Sequence, residues 1–203
     1  MKTNRIIAAL LLIAGLLCLQ PETVPAQGVA VKQDNATVAQ DETAKPFIVY
    51  YSRTGSAQKV ASALQNQLGC GMEGIVPASK IGIGTIFMDQ IFNRKNKQEP
   101  LKQNLAEYDP IILVTPIWFM RLSSPARAFI KQGALKGKEV YIFTVSGGPM
   151  SKGRKNAFKE FGAEHGLTVK EVHSLQVGKK TPADLEKEIK ESISGGSLKK
   201  YRN

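Results

Sequence analysis

The chain has 203 residues, 42% of them hydrophobic and 22% charged, an ordinary globular composition at a length that suits one domain. Lys and Arg total 28 against 17 Asp and Glu, a formal charge of +11. Two cysteines and two histidines exclude a disulfide scaffold, a four-cysteine zinc site and most histidine-based metal chemistry.

Lys2 and Arg5 precede an apolar run from Ile6 to Leu19. The run has the length of a secretory signal core and is shorter than the ~20 residues that span a bilayer. Val24-Pro25-Ala26 offers small residues for cleavage after Ala26. Residues 1–26 therefore read as a signal peptide, and the protein as exported, periplasmic or extracellular. Cys18 gives a second reading, a lipid anchor, although Leu17 stands where a small residue is wanted. Cleavage after Ala26 leaves Cys70 as the lone cysteine, with no internal disulfide. Residues 27–45 contain no aromatic residue and no helical stripe, and read as a flexible linker.

From 46 to 193, short apolar runs alternate with helical patterns, the signature of a parallel sheet with crossover helices. Phe47–Tyr51 predicts a buried strand, Gln58–Leu68 a helix closed by Gly69, and Glu73–Val76 a second strand. A helix over 85–92 and a charged run over 93–98 follow. Pro110–Thr115 predicts the third strand, with Asp109 as a turn residue before it. Pro125–Gln132 reads as a helix with proline in its first turn. Val140–Val145 predicts the fourth strand and Lys152–His165 an amphipathic helix, Phe158 and Phe161 inward and Arg154 and Lys155 outward. Leu167–Leu175 is the fifth strand, and Thr181 caps a last helix over Pro182–Ile193. Residues 194–203 read as a polar basic tail. Five strands and about five helices in β-α-β order give a doubly wound three-layer sandwich.

Ligands in such sheets bind beyond the carboxyl ends of the strands. After the first strand comes Ser52-Arg53-Thr54-Gly55-Ser56-Ala57, opening into a helix. Three hydroxyls, a glycine and free N–H groups at a helix start suit a phosphate-like dianion. The loop lacks the lysine of a triphosphate-binding loop and the triple glycine of a dinucleotide fingerprint. After the third strand comes Thr115-Pro116-Ile117-Trp118-Phe119-Met120-Arg121, with the only tryptophan, which suits a flat apolar ring. After the fourth comes Ser146-Gly147-Gly148-Pro149, where two glycines admit a close approach of backbone to a ring edge. His165 and His173 show no partner at ligand spacing and read as surface or helix-end residues.

The segments YYSRTGSAQKVASAL and YDPIILVTPIWFMRLSSPARAFI resemble the flavodoxin-like family, over about Phe47–Ile193. The resemblance implies an α/β, flavodoxin-like three-layer α/β/α sandwich with a five-stranded parallel sheet of order 2-1-3-4-5. It implies noncovalent FMN as cofactor. Ser52, Arg53, Thr54, Gly55, Ser56 and the Ala57 backbone would surround the phosphate. Pro116, Ile117, Trp118, Phe119 and Met120 would line one side of the flavin ring, and Ser146, Gly147 and Gly148 the other. The chain departs from the family at Ala57, where a hydroxyl residue is common, and at Met120, where glycine is common. The implied role is electron transfer; an NAD(P)H-dependent reductase of FMN or quinones, and a module that has lost FMN, are the alternatives. A positive surface favours an acidic redox partner protein, a small anionic or quinone-like acceptor, or peripheral contact with anionic lipid. Nucleic acid fits poorly, because the aromatic residues are not interleaved with the basic ones.

Overall fold

The computed structural model describes residues 45–79 and 97–202, together with Gly82, Gly84 and Met88. The predicted signal peptide, the linker up to residue 44 and, apart from Met88, the helix expected over 85–92 lie outside the described residues.

Strand β1 (Lys45–Tyr50) leads into helix α1 (Ser56–Leu68), which Gly69 ends in a left-handed conformation at φ 61°. Strand β2 (Gly71–Gly74) follows, then a 3-10 turn at Leu105–Glu107 and the long strand β3 (Tyr108–Trp118). Two-residue β4 (Arg121–Leu122) folds back on β3 and enters helix α2 (Ser124–Lys131). Strand β5 (Glu139–Val145), helix α3 (Lys152–Glu164), strand β6 (Thr168–Leu175) and helix α4 (Pro182–Ser194) complete the alternation.

The parallel strands lie in the order β2-β1-β3-β5-β6, with β4 beside β3 alone. With β4 set aside, this is the 2-1-3-4-5 order implied by the sequence. The central strands are buried on both faces, which explains why they read as continuous apolar runs rather than alternating ones. Val49, Ile111, Leu113 and Ile142 pack on one side with Phe129 of α2 and Phe158 of α3. Ile48, Ile112, Val114 and Phe143 pack on the other with Val60 and Leu64 of α1 and Ile189 of α4. Each such side chain contributes about 1.5–3 kcal/mol when fully buried, so the two cores fix both the layers and the strand register.

Four sequence readings change. Strand β3 continues through Pro116 to Trp118, because Ile117 and Trp118 find antiparallel partners in Leu122 and Arg121. Asp109 lies inside β3 rather than in a turn, and its carboxylate accepts from the Glu139 N–H at 3.1 Å. His173 is a half-buried strand residue stacked on Phe143 at 4.6 Å and bonded to Glu171 at 2.9 Å; only His165 caps a helix end. Finally, the residues after α4 form a 3-10 turn, Ser197–Tyr201, that buries Leu198 completely. The Ser197 N–H donates to Glu171 at 2.7 Å, and the Ser197 hydroxyl meets both Glu171 and the Tyr141 hydroxyl at 2.7 Å.

Candidate functional site

Because β1, β3 and β5 are parallel neighbours, the loops that follow them share one edge of the sheet. The loop after β1 is built around Gly55, whose φ of 82° is a left-handed conformation that costs a side-chain-bearing residue about 1–2 kcal/mol. No atom lies within 4 Å of where its Cβ would stand, so the backbone is open there. Gly55 occupies the N-cap position of α1, and no side chain caps that end of the helix. The first turn holds no acidic residue. An uncapped helix start carries unsatisfied N–H groups and the positive end of the helix dipole, the two features an anion needs.

Ser52 adds a sharper observation. Its hydroxyl oxygen is shut off from solvent and has no hydrogen-bond partner among the described residues. A buried polar atom without a partner costs about 1–3 kcal/mol, and such atoms are rare in folded proteins. Thr54 and Ser56 place their hydroxyl oxygens 3.5 Å apart at the mouth of the same loop. Ala57 is buried as the first core contact of α1, so only its backbone can face the loop. Arg53 is exposed. Tyr51, next to the loop, keeps its phenol proton, because burial raises its pKa more than Arg53 lowers it.

The loop after β3 is a two-residue hairpin. Trp118 pairs with Arg121, and the residues between them, Phe119 and Met120, have φ of 47° and 66°. Two positive φ values in succession are the geometry of the tight hairpin turns that usually carry Asn-Gly. Here two bulky residues adopt it, and they are 61% and 62% exposed. Arg154, in the first turn of α3, reaches across and donates to the Met120 carbonyl at 2.7 Å. Trp118 stands edge-on to Tyr51, with ring centroids 5.6 Å apart at 89°.

The loop after β5 is held from within. The Ser146 hydroxyl donates to the Gly148 carbonyl at 2.6 Å and lies 3.1 Å from the Ser174 hydroxyl. Gly147 and Gly148 have no atom within 4 Å of a would-be Cβ.

Between the hairpin tip and this last loop lies a cavity of about 330 Å³ lined by Ile117, Phe119, Met120, Ser146, Gly147, Gly148, Pro149, Met150 and Arg154. Six of the fourteen residues singled out in the sequence meet here. Ser52–Ala57 are not among its lining; they form the neighbouring loop on the same edge. Pro116 and Trp118 are absent from its lining as well, the indole being packed on Tyr51. The sequence reading missed Pro149, Met150 and Arg154. The first two directly follow the glycine pair, and Arg154 sits one turn into the next helix, so their places in the chain were the available signal. Cys70 has no part in this edge; burial pushes its thiol up to about 11, which makes it a poor nucleophile.

No curated protein matches the chain. Solved structures do. A protein from Bacteroides eggerthii described as a flavoprotein is 25% identical over 75% of this chain and 98% of its own, with a TM-score of 0.61. A counterpart from Bacteroides uniformis is 21% identical, covers 73% and 99%, and also scores 0.61. A flavoprotein from Lactobacillus acidophilus, solved in complex with FMN, is 20% identical over 64% and 93%, with a TM-score of 0.52. The latter two likenesses are of fold. The model of the flavodoxin domain family matches residues 85–186, half of the chain. With that match, the strand order and the three convergent loops in agreement, the chain belongs to the flavodoxin domain family.

Proposed function

We propose that this protein binds FMN at the carboxyl edge of its sheet and serves as an electron carrier outside the cytoplasm. The observation that carries the cofactor is the orphaned Ser52 hydroxyl, set in a loop with an uncapped helix start and an open Gly55. That donor set matches a phosphate group: hydroxyls from Ser52, Thr54 and Ser56, and backbone N–H groups at the start of α1. The cavity between the hairpin and the Ser146–Pro149 loop matches the edge of a flat ring. The FMN held by the Lactobacillus acidophilus relative supports the same reading.

When bound, FMN supplies reversible electron transfer, and the protein supplies position and electrostatics. Ser52 and its neighbours anchor the phosphate. Ile117, Phe119 and Met120 line one side of the cavity, and the Gly147–Gly148 backbone lets a ring edge come close. Arg154, beside that cavity, favours negative charge on whatever occupies it. Export is supported by the Lys2–Ala26 pattern, and an acidic redox partner by the +11 formal charge.

Titrating the 203-residue chain with FMN, followed by quenching of flavin fluorescence and by the visible spectrum, tests the cofactor. Saturable binding at micromolar concentrations is expected. A flat titration there overturns the reading and favours a module that keeps the fold without FMN, the alternative supported by Ala57 and by Met120 at the cavity. Oxidation of added NAD(P)H by the loaded protein replaces the carrier by a reductase. Export is checked by cell fractionation, where retention in the cytoplasm overturns it.

A further inference from the structure

A groove of about 590 Å³, within the range of small-molecule sites, extends from Gly55 between α1 and the start of α4. It therefore adjoins the loop proposed to hold the flavin phosphate. Its α1 wall carries Gly55, Lys59, Ser62 and Asn66, whose spacing of four, three and four residues puts them on one face. The Lys59 N–H donates to the Gly55 carbonyl at 3.0 Å, so its side chain stands one helical turn beyond the loop. That side chain is exposed, and its ammonium makes no hydrogen bond or ion pair among the described residues. Lys180 also lines the groove, but Glu188 pairs with it. The facing wall is apolar in Val177, Pro182 and Leu185, to which Glu186 adds one carboxylate. An ammonium, a hydroxyl and a carboxamide thus follow the phosphate loop in that order, opposite an apolar surface.

From this placement we infer that the groove takes the adenylate half of a flavin dinucleotide, so that the site accepts FMN and prefers FAD. The second phosphate faces Lys59, the ribose lies along Ser62 and Asn66, and the adenine rests on Val177, Pro182 and Leu185. This inference rests on the flavin reading and deepens it. Contiguity selects the ligand: Gly55 belongs to both the loop and the groove, so a group that fills the groove is one joined to the phosphate. FAD is FMN extended through that phosphate by an adenylate. With FMN alone, the loop is satisfied and Lys59 gains no anion of its own. Charge-assisted bonds are about twice as strong as neutral ones, which makes the second phosphate the group with most to gain. The Glu186 carboxylate accepts from the adenine amino group or a ribose hydroxyl, both of which are neutral donors.

The test is calorimetric titration of the 203-residue chain with FMN and, separately, with FAD. FAD is expected to bind about tenfold more tightly, the worth of one hydrogen bond between charged groups. Lys59→Gln should remove about tenfold of the FAD affinity and much less of the FMN affinity. Lys59 is exposed, so this variant spares the core. In NMR spectra, the amides of Ser62, Asn66 and Val177 should shift more with FAD than with FMN. FAD binding no tighter than FMN, a preference for FAD untouched by Lys59→Gln, or equal shifts with the two flavins overturns the inference and leaves the FMN reading standing. Binding of neither flavin overturns both.

Discussion

The loops after β1 and β3 meet at the same sheet edge, yet they are built on opposite terms. In the first, the one residue with positive φ is Gly55, and small hydroxyl residues surround it. Its cost is concentrated in a single buried atom, the Ser52 hydroxyl. In the second, the left-handed positions are filled by Phe119 and Met120, whose side chains stand in solvent. The first loop takes its shape from residue choice; the second is held in shape by its neighbours, β4 on one side and Arg154 on the other. Backbone strain in exposed bulky residues is uncommon and concentrates where a chain must present a particular surface.

Gly55→Val should break the first loop outright. A β-branched residue at φ 82° costs about 1–2 kcal/mol or more in stability, with no steric neighbour to blame. The same change turns away the backbone proposed to hold the phosphate, so FMN affinity should fall more than stability does. Urea unfolding and FMN titration on one preparation compare the two. Unchanged affinity would remove Gly55 from the site.

Ser52→Ala separates binding from folding. Losing an unpartnered buried hydroxyl should leave stability equal or slightly higher, since the buried atom has no bond to lose. FMN affinity should drop by about tenfold, the worth of one hydrogen bond to a charged group. A matching loss of stability would mean that the hydroxyl is structural.

Met120→Gly carries the comparison to the second loop. Removing the side chain relieves about 1–2 kcal/mol of left-handed strain, offset by the ~0.5–1 kcal/mol entropic cost of glycine. A net gain of about 0.5–1 kcal/mol in urea unfolding is expected. A loss would show that the thioether, which lines two cavities, is packed more firmly than its exposure suggests. Arg154→Met should have a smaller effect on global stability and a local one on the tip, seen as faster amide exchange at Phe119 and Met120.

This contrast also explains what could be read in the chain. The sheet was legible because its central strands are unbroken apolar runs, Phe47–Tyr51, Ile111–Val114 and Val140–Phe143, and because Gly69 marks the end of the helix after the first run and Thr181 the start of the helix after the last strand. The β1 loop was legible because its chemistry is carried by residue type. The extension of β3 was hidden: nothing in Phe119-Met120 announces a hairpin that normally asks for Asn-Gly, and only pairing with β4 creates it. Trp118 was read as a ring partner for a ligand; its edge-on contact with Tyr51 at the same sheet edge had no signal in the sequence. The segment after α4 was hidden for the same kind of reason. Its composition is basic and polar, and one buried leucine plus two hydrogen bonds to Glu171 decide its place.

That carboxylate gives the smallest effect near neutrality and the one with a definite sign. Burial works to raise the Glu171 carboxyl, but the bonds from the Ser197 N–H and hydroxyl and from His173 outweigh it, so its pKa ends below the ordinary 4.5. Burial holds His173 below 6.5 against the opposing pull of Glu171. Both groups therefore bind protons more weakly when folded than when unfolded. Their stabilising contribution is complete above the unfolded values and is lost as pH falls, first below about 6.5 through His173, then below about 4.5 through Glu171. Urea unfolding between pH 8 and 4 should show falling stability in that order. His173→Gln should flatten the upper limb, and Glu171→Gln should lower stability at neutral pH while flattening the lower one. Persistence of the upper limb in His173→Gln would move its origin away from the β6 edge. The β1 loop and the hairpin should not follow this profile: Tyr51, beside the β1 loop, has its pKa raised from a value that is already 10.0. Amide exchange resolved by segment would then place the acid sensitivity at Ser197–Tyr201, the part of the fold that is held, like the hairpin, by contacts rather than by pattern.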